Sequence, residues 1–239
     1  MAADLNYNKV LLKVSGEALM GGQGFGIDPK TVERICLDIK EGIALGARVA
    51  LVVGGGNIFR GVALAAQGAD RVSGDHMGML ATVMNAIALR MALEAIEVPA
   101  VVLSAIDMAE VCEPFTQRAA EQYFKDGKVV IFAGGTGNPY FTTDTAAALR
   151  ACEMQCDALM KATQVDGIYS ADPKTNPDAE RFETITHSEV LERGLEVMDA
   201  AAVSLTQDAG IPVIVFSLAD KGGFAKILKG EGRSTTVTS

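Results

Sequence analysis

The chain has 239 residues, of which 49% are hydrophobic and 21% are charged, and its formal net charge is −9. This length suits one large α/β domain with a sizeable core, and two small domains are the less favoured alternative. The acidic balance, without a block rich in Lys and Arg, argues against a nucleic-acid partner. An anionic small substrate is still compatible with it, because local positive charge in a cleft matters more than the total.

Short apolar runs, rich in β-branched residues, alternate with helical patterns along the chain. The predicted strands are 10–14, 49–53, 100–104, 129–133, 158–161 and 213–217. The predicted helices are 29–46, 75–97, 144–157, 188–193, 200–209 and 223–228. This alternation predicts a three-layer α/β/α sandwich with a mostly parallel central sheet. The sequence contains no obvious linker, so we predict a single domain over residues 1–239.

Three of the predicted strands end in glycine-rich turns, in the segments LLKVSGE, LVVGGGNIFRG and VIFAGGTGNP. In an open parallel sheet, ligands bind beyond the carboxyl ends of the strands. Glycine turns and helix N-termini present backbone N–H groups there, and such groups bind anions. One glycine pair alone would indicate an ordinary tight turn. Three clusters at one edge predict a substrate with several phosphates.

Three cations accompany these turns. Lys13 lies in the otherwise apolar first strand, Lys161 lies in the segment ALMKAT, and Arg60 follows the second glycine cluster. A buried, unpaired ammonium is costly, so each lysine is expected at a strand end with its charge reaching a ligand. The planar guanidinium of Arg60 suits phosphate oxygens. The alternative for each residue is a side chain that extends to the solvent.

The pattern does not match the common nucleotide-binding motifs. The chain has no GxxxxGK[ST] sequence, and GGQGFG at 21–26 is neither GxGxxG nor placed directly after a strong strand. Serine, cysteine and zinc hydrolase mechanisms lack a suitably placed histidine. Lysines, an arginine and glycine N–H groups, without an obvious nucleophile, favour phosphoryl transfer between two bound substrates.

Two acidic residues stand at predicted helix starts near the same edge. Asp75 begins the long helix and is either its N-cap or a ligand-binding residue. Asp144 begins the helix after the third glycine cluster. It could orient the lysines, act on a metal through water, or simply favour the helix N-terminus. The loop 161–173 adds Tyr169 among polar groups, which alone is a weak signal for a nucleobase site.

Cysteines and histidines are too sparse to indicate a metal site, and only one pair is close in sequence among Cys36, Cys112, Cys152 and Cys156. We expect small buried thiols in a reducing compartment. The segment MAADLNYNKV lacks the apolar core of a signal peptide, and no uncharged apolar run reaches the length of a membrane span. These features predict a cytoplasmic protein without a membrane partner. The helix from Asp75 is apolar on several sides, which predicts an oligomer.

Six segments, taken together, are highly specific: LLKVSGEAL, GGGNIFRG, GDHMGMLATVMNA, GTGNPYFTTDTAA, KATQVDGIYSADP and VMDAAA. Over nearly the whole chain they resemble the motifs of the amino acid kinase family, and within it those of the bacterial UMP kinases. The resemblance implies the amino acid kinase fold and reversible transfer of the ATP γ-phosphoryl group to UMP, giving UDP and ADP, in de novo pyrimidine nucleotide synthesis. It also implies Mg²⁺ held mainly by nucleotide phosphates, and a homohexamer built from dimers.

The resemblance also implies roles for individual residues. It implies catalytic roles for Lys13, Arg60, Asp144 and Lys161. It implies ATP contacts for Lys13, Ser15, Gly16, Gly56, Arg60, Thr163, Tyr169 and Asp172. It implies UMP contacts for Gly55, Asp75, Thr136, Gly137, Asn138, Pro139, Tyr140, Phe141, Thr142 and Thr143. In this interpretation Asp75 binds the ribose, the glycines hold phosphate, and the threonines and aromatic residues enclose uridine.

Regulation and close alternatives also follow from the resemblance. Many of these enzymes have a region that is linked to activation by GTP. The segment of this chain that resembles it consists of Gly21, Gly22, Gln23, Gly24, Phe25 and Gly26. Inhibition by UTP is implied as well. Relatives with this fold phosphorylate carbamate, glutamate or aspartate, but the UMP-type loop argues against carbamate. We expect no appended regulatory domain after GRSTTVTS. A nucleotide-binding protein without catalysis is the non-enzymatic alternative.

Overall fold

The computed structural model describes residues 5–59, 68, 70–173, 175–195, 197–219 and 222–239. Its strands are β1 (Lys9–Val14), β2 (Arg48–Val53), β3 (Ala100–Ser104), β4 (Glu113–Pro114), β5 (Val129–Ala133), β6 (Ala158–Thr163), β7 (Thr184–Thr186), β8 (Val213–Ser217) and β9 (Ser234–Thr238). Its helices are α1 (Pro29–Ala44), α2 (Arg71–Ala95), α3 (Gln117–Lys125), α4 (Thr143–Glu153), α5 (His187–Glu192), α6 (Ala200–Asp208) and α7 (Gly223–Leu228). A 3₁₀ turn, Gly16–Leu19, follows β1.

The strands form one nine-stranded sheet in the order β4-β3-β5-β2-β1-β6-β8-β9-β7. The ladders are parallel except for the pairing of β8 with β9, which is antiparallel. The prediction of a mostly parallel sheet is therefore confirmed. Because β5, β2, β1 and β6 are neighbours, their carboxyl ends bring the glycine-rich turns and both predicted lysines to one edge.

Side chains alternate between the two faces of β1 and enter different apolar cores. Leu12 belongs to the core that includes Ile39 of α1 and Leu89 of α2. Leu11 belongs to the core on the other face, which includes Ala148 of α4 and Phe124 of α3. Helices therefore cover both faces of the sheet, as the predicted three-layer sandwich requires.

The predicted start of the long helix is wrong. α2 begins at Arg71 instead of Asp75, and its N-cap is Asp70, whose carboxylate accepts from the Ser73 N–H at 2.8 Å. Gly74 lies inside the first turns of the helix, where glycine lowers helix propensity by about 1 kcal/mol relative to alanine. The long apolar run after it outweighs this penalty.

Several other boundaries and elements differ from the prediction. α4 ends at Glu153, well before Asp157, because the chain turns through Gln155 with a φ of +50°. β6 continues to Thr163, beyond its predicted end at 161. The pattern missed α3, β4, β7 and β9. β7 and β9 are rich in threonine and bury few apolar side chains, so they lack a clear apolar run.

α2 is long and apolar enough to cross a membrane by length and composition alone, and it is the one such helix within the described ranges. However, 44% of the apolar 18-residue stretch of this helix is buried inside the protein. Val83, Ala86 and Leu89 of α2 belong to the core beneath the sheet. These contacts are typical of a core helix, and such helices pass the same test.

A fully buried histidine lies at the start of α5. Neither ring nitrogen of His187 has a hydrogen-bond partner among the described residues, although the Thr238 backbone lies close to the ring. Burial lowers the pKa of His187, and the Thr238 backbone only partly opposes this effect. A histidine in the unfolded chain has a pKa of about 6.5, so the unfolded state takes up the proton first as the pH falls. We expect the free energy of unfolding to fall as the pH drops below about 6.5, by at most about 1.4 kcal/mol per pH unit.

Urea unfolding followed by circular dichroism between about pH 5.5 and pH 8, where histidine is the side chain that ordinarily titrates, measures this slope. The variant His187→Leu keeps an apolar group in the site and should lose much of the slope. If the variant and the wild type show the same pH dependence, His187 does not contribute to it.

Candidate active site

Two lysines meet one carboxylate at the carboxyl edge of the sheet. Lys13 of β1 lies directly beside Lys161 of β6 in the parallel register. Asp144, in the first turn of α4, places Oδ1 2.7 Å from Lys13 Nζ and Oδ2 2.8 Å from Lys161 Nζ. The lysine side chains are only 10% and 15% exposed, so the alternative of solvent-facing lysines is wrong for both.

The cluster of Lys13, Asp144 and Lys161 carries one excess positive charge in a buried setting. Burial tends to raise the pKa of Asp144, but the two lysines outweigh it and hold that pKa below its usual range. Burial lowers the pKa of Lys161; Asp144 opposes this effect and Lys13 adds to it. A ligand with negative charge would balance the cluster, so the site favours an anion.

The two ammonium groups differ in their remaining contacts. Lys161 donates to Asp144 Oδ2 and to the backbone carbonyl of Val197. Lys13 pairs with Asp144 Oδ1, and its ammonium has no other partner among the described residues. Because an ammonium has three N–H donors, Lys13 retains donors for a ligand beyond the strand end.

The turns after β1 and β2 pack directly on each other. The Gly54 N–H donates to the Val14 carbonyl at 3.0 Å. A Cβ on Gly16 would lie 2.7 Å from the Gly54 carbonyl oxygen, so this approach requires glycine. Ser15 caps the following 3₁₀ turn through its side chain. The predicted ATP contacts Ser15 and Gly16 therefore lie against the second glycine cluster.

A cavity of about 250 Å³ opens at this edge and holds many of the predicted UMP contacts. They are Gly55, Asp75, Thr136, Phe141, Thr142 and Thr143. Gly56, for which the resemblance implied an ATP contact, lines this smaller cavity and not the larger one. The residues Gly137, Asn138, Pro139 and Tyr140 form the turn after Thr136 and do not line the cavity. The Thr136 hydroxyl accepts from the Asn138 N–H at 3.1 Å and holds that turn.

Asp75 joins α2 to the loop that follows β5. Its two oxygens accept from Arg71 Nε at 2.8 and 2.9 Å, and Oδ2 also accepts from the Tyr140 N–H at 2.7 Å. Tyr140 has a φ of +72°, which is unusual for a residue other than glycine. The guanidinium of Arg71 lies 5.5 Å from the centroid of the Tyr140 ring. Asp75 is therefore not a helix cap, and it has partners from two elements.

Arg71 was missed in the sequence, although its spacing of four residues before Asp75 is that of a helical ion pair. The signal was lost because the helix was expected to begin at Asp75 itself. Arg71 also lines the smaller cavity. It places a cation beside the predicted UMP contacts, for which the sequence predicted no arginine.

A larger cavity of about 590 Å³ lies on the β6 and β8 side of the cluster. Lys161 lines it, together with the predicted ATP contacts Thr163, Tyr169 and Asp172. Its apolar wall includes Val165, Ile168, Leu195, Val197 and Val215. A cavity with an apolar wall and a few polar groups is typical of a nucleoside site. The lining residues Arg193, Gly194, Leu195 and Val197 were missed, since they carry no chemical motif.

Asp199 is a second residue that sequence reasoning missed. It is the N-cap of α6 and accepts from the Ala202 N–H at 3.0 Å. Its other oxygen accepts from the Thr145 hydroxyl at 2.8 Å and from the Thr142 hydroxyl. Asp199 thus fixes the start of α4, the helix that carries Asp144. An aspartate before an alanine run signals a cap, but its threonine partners lie more than fifty positions away.

Comparison with known proteins identifies the family. The model of the amino acid kinase family matches residues 8–217. The chain belongs to this family. Uridylate kinase from Brucella anthropi is 64% identical over 232 residues, covering 97% of each chain. Uridylate kinase from Rhizobium meliloti is 62% identical over 238 residues, covering 100% of this chain and 99% of the relative.

Solved structures agree with these relatives. A UMP kinase from Bacillus anthracis superposes with a TM-score of 0.93 at 37% identity, covering 97% of this chain and 96% of that one. A UMP kinase from Ureaplasma parvum superposes with a TM-score of 0.92 at 34% identity, covering 98% and 100%. The resemblance to the amino acid kinase family, and to the UMP kinases within it, is confirmed.

Two predicted parts of this amino acid kinase remain predictions. Arg60 lies outside the described residues. The segment from Gly21 to Gly26, for which GTP activation was implied, lines neither cavity. Phe25 in this segment is 67% exposed, and the Gly26 N–H donates to the Asn57 carbonyl at 2.9 Å.

Among the residues that the structure describes, potential metal ligands do not cluster, and two of the four thiols are buried. Within the described ranges, no group of three or more His, Cys, Asp and Glu side chains could hold a metal ion. Both oxygens of Asp144 lie against lysines. Burial raises the pKa of Cys36 and of Cys156 to about 12, which keeps these thiols protonated and unreactive.

Proposed function

We propose that this protein transfers the γ-phosphoryl group of ATP to UMP, reversibly, giving UDP and ADP for pyrimidine nucleotide synthesis. One observation carries the proposal: the cluster of Lys13, Asp144 and Lys161 adjoins both cavities. Lys161 lines the larger cavity, and Thr143, the neighbour of Asp144, lines the smaller one. A nucleotide in each cavity would direct its phosphates toward the cluster.

The proposed mechanism is positioning plus charge neutralisation. Phosphoryl transfer spreads negative charge over the equatorial oxygens, and preorganised cations stabilise it. Lys13 and Lys161 supply those cations, while Asp144 holds them side by side at 2.7 and 2.8 Å. The N–H groups of the glycine turns orient the phosphates. Asp144 is a positioning residue in this scheme, because its oxygens are engaged by the lysines.

Mg²⁺ fits this site as a companion of the nucleotide. Asp144 and Asp199 both direct their oxygens at protein donors, so the described residues offer no ready cage of carboxylates. Mg²⁺ commonly binds substrate phosphates with few protein ligands. When bound with ATP, it would neutralise charge on the β- and γ-phosphates.

The smaller cavity is assigned to UMP and the larger cavity to ATP. The smaller one has Asp75 and several threonines for a sugar and a base. The larger one, at about 590 Å³, has an apolar wall and Tyr169 for an adenosine. The names of the relatives, uridylate kinase and UMP kinase, support the same pair of substrates.

A coupled assay of ADP release tests the proposal. The assay compares UMP, CMP, carbamate and glutamate as phosphoryl acceptors with ATP and Mg²⁺. UMP should be used with the highest kcat/KM. Efficient use of another acceptor would indicate a different small-molecule kinase of this fold. ATP binding without turnover on any acceptor would indicate a non-catalytic nucleotide-binding protein.

We also propose that the protein is a homohexamer built from dimers, with one face of α2 as a contact between subunits. Met77, Leu80, Met84 and Met91 of α2 are 47%, 51%, 55% and 60% exposed. Their spacing of three, four and seven residues places them along one stripe of the helix. Such a stripe, half exposed in a single chain, fits a second copy of that chain.

Light scattering should give a mass near six chains for the wild type. Met84→Asp places a charge at the centre of the stripe and should reduce the mass to smaller species. Leu37→Asp is the matched control, since Leu37 of α1 is 44% exposed and lies outside the stripe. A wild type that is a stable monomer at assay concentration contradicts the proposal.

Regulation and location complete the proposal. Activation by GTP would act through the segment 21–26, which is exposed and bonded to Asn57 next to the second glycine cluster. Inhibition by UTP would follow from occupation of the UMP cavity. We propose a cytoplasmic location, where ATP and UMP are available.

A further inference from the structure

Two buried asparagines face each other beneath the second glycine cluster. Asn57 directly follows that cluster and is 1% exposed, and Asn85 of α2 is 0% exposed. Asn57 Nδ2 donates to Asn85 Oδ1 at 3.0 Å, and Asn85 Nδ2 donates to Asn57 Oδ1 at 2.6 Å. The two amides therefore form a reciprocal, closed pair in the core.

The second N–H of each amide reaches a glycine carbonyl. Asn85 Nδ2 donates to the Gly54 carbonyl at 2.7 Å, and Asn57 Nδ2 donates to the Gly26 carbonyl at 2.9 Å. The Gly26 N–H returns a hydrogen bond to the Asn57 carbonyl at 2.9 Å. The amide pair thus ties together α2, the glycine turn after β2 and the end of the segment 21–26.

Stability alone does not explain this pair. Replacing two buried hydrogen-bonding groups by apolar groups of the same shape is often nearly neutral. A fully satisfied polar network, in contrast, selects one arrangement of the groups it joins. The arrangement selected here is that of the Gly54 peptide.

The residue Gly54 is held on both sides, and its carbonyl belongs to the peptide unit that also contains the Gly55 N–H. Its N–H donates to the Val14 carbonyl at 3.0 Å, and its carbonyl accepts from Asn85 at 2.7 Å. A peptide bond is planar and trans, so the Gly55 N–H points away from the Gly54 carbonyl. By fixing the carbonyl, Asn85 fixes the direction of the Gly55 N–H.

The Gly55 N–H is available for a ligand. Gly55 lines the smaller cavity, and its N–H has no acceptor among the described residues. Gly55 also lies tightly against α2, since a Cβ there would lie 2.8 Å from the Gly78 carbonyl oxygen. A buried backbone N–H without a partner is costly, so an anion at this position would be stabilised.

We infer that the amide pair of Asn57 and Asn85 is a positioning device that aims the Gly55 N–H at the phosphate of the nucleotide in the smaller cavity. The inference rests on the proposed function, because it assigns that cavity to UMP. Neither asparagine touches the substrate in this scheme. Each acts through the Gly54 peptide, and the pair links that peptide to the segment 21–26.

The test compares the binding of UMP and of uridine, which differ only in the phosphate. Isothermal titration calorimetry on the full chain gives both Kd values for the wild type, Asn85→Leu and Asn85→Asp. Leucine matches asparagine in size and removes both N–H donors. Aspartate retains an oxygen and removes the amide donors. We expect the preference for UMP over uridine to fall about tenfold, the lower end for a hydrogen bond to a charged group, with uridine affinity nearly unchanged.

Thr206→Val is the control for stability. Thr206 is a fully buried residue of α6 that donates to the carbonyls of Ala202 and Val203, and it lines neither cavity. This variant should lower the temperature of unfolding without changing the preference for UMP. Because two Asn85 variants are measured, the test still gives an answer if one of them does not fold.

Three results would overturn the inference. An unchanged preference for UMP in a folded Asn85 variant means that the pair does not aim the phosphate contact. An equal loss of UMP and uridine affinity means that its role is only structural. A wild type that binds neither compound overturns the proposed function and this inference with it. This outcome is seen in the wild type alone, whereas the other two results require a comparison with the Asn85 variants.

Discussion

Replacing Lys13 with methionine is expected to lower kcat by about 10²–10³-fold, the usual loss when one electrostatic stabiliser of a transition state is removed. Methionine keeps the apolar stem within the β1 environment. Asp144 would remain paired with Lys161 at 2.8 Å, so no buried carboxylate is left alone and the fold should persist. Initial rates at saturating ATP and UMP measure the loss, and thermal unfolding checks the fold.

Lys9→Met is the matched control for this experiment. Lys9 lies on the same strand and the same face as Lys13, but at the opposite end of the sheet, where it pairs with Glu121 at 2.6 Å. The control removes the same charge from the same strand, and it should lower stability without lowering kcat. Near-normal turnover in Lys13→Met would show that Lys13 has no role in the transfer step.

Asp75→Asn is expected to reduce the preference for UMP over dUMP, which should be roughly 10–100-fold in the wild type if Asp75 binds the ribose hydroxyls. A carboxylate can accept several hydrogen bonds at once, so contacts with Arg71 and the Tyr140 N–H leave room for a sugar. Asparagine can still accept from Tyr140 but has fewer acceptor sites. The measurement is kcat/KM for UMP and for dUMP in both proteins.

Asp70→Asn controls for the loss of charge at the same helix end. Asp70 caps α2 from outside the cavity, and asparagine is as good an N-cap as aspartate. This variant should keep the wild-type preference for UMP. If Asp75→Asn lowers UMP use but leaves the preference over dUMP intact, Asp75 serves to hold the Tyr140 loop, and the sugar is recognised elsewhere.

The meeting of Lys13, Asp144 and Lys161 was predictable because it follows from local pattern and sheet topology. A lysine in an apolar strand is conspicuous, and parallel strands bring their carboxyl ends together. The glycine clusters were visible for the same reason. How these residues pair, with one carboxylate between two ammonium groups, depends on strand register, which sequence reasoning did not specify.

The residues that sequence reasoning missed depend on partners far along the chain. Asp199 bonds to threonines more than fifty positions away, and Asn85 pairs with Asn57 across 28 positions. Each looks ordinary by itself: a helix cap and a polar residue on an apolar helix. Arg71 was hidden by the wrong helix start, because the predicted helix began at Asp75, four residues later.

α2 presents different sides to different parts of the molecule. Gly78 and Thr82 line the smaller cavity, Asn85 holds the glycine turn, and Met84 lies on the exposed stripe. If that stripe joins subunits, and the contact also favours the binding form of the cavity, association and nucleotide binding become linked equilibria, in which each changes the other by the same factor. Dilution that separates the chains would then weaken UMP binding, and UMP in turn would hold the chains together.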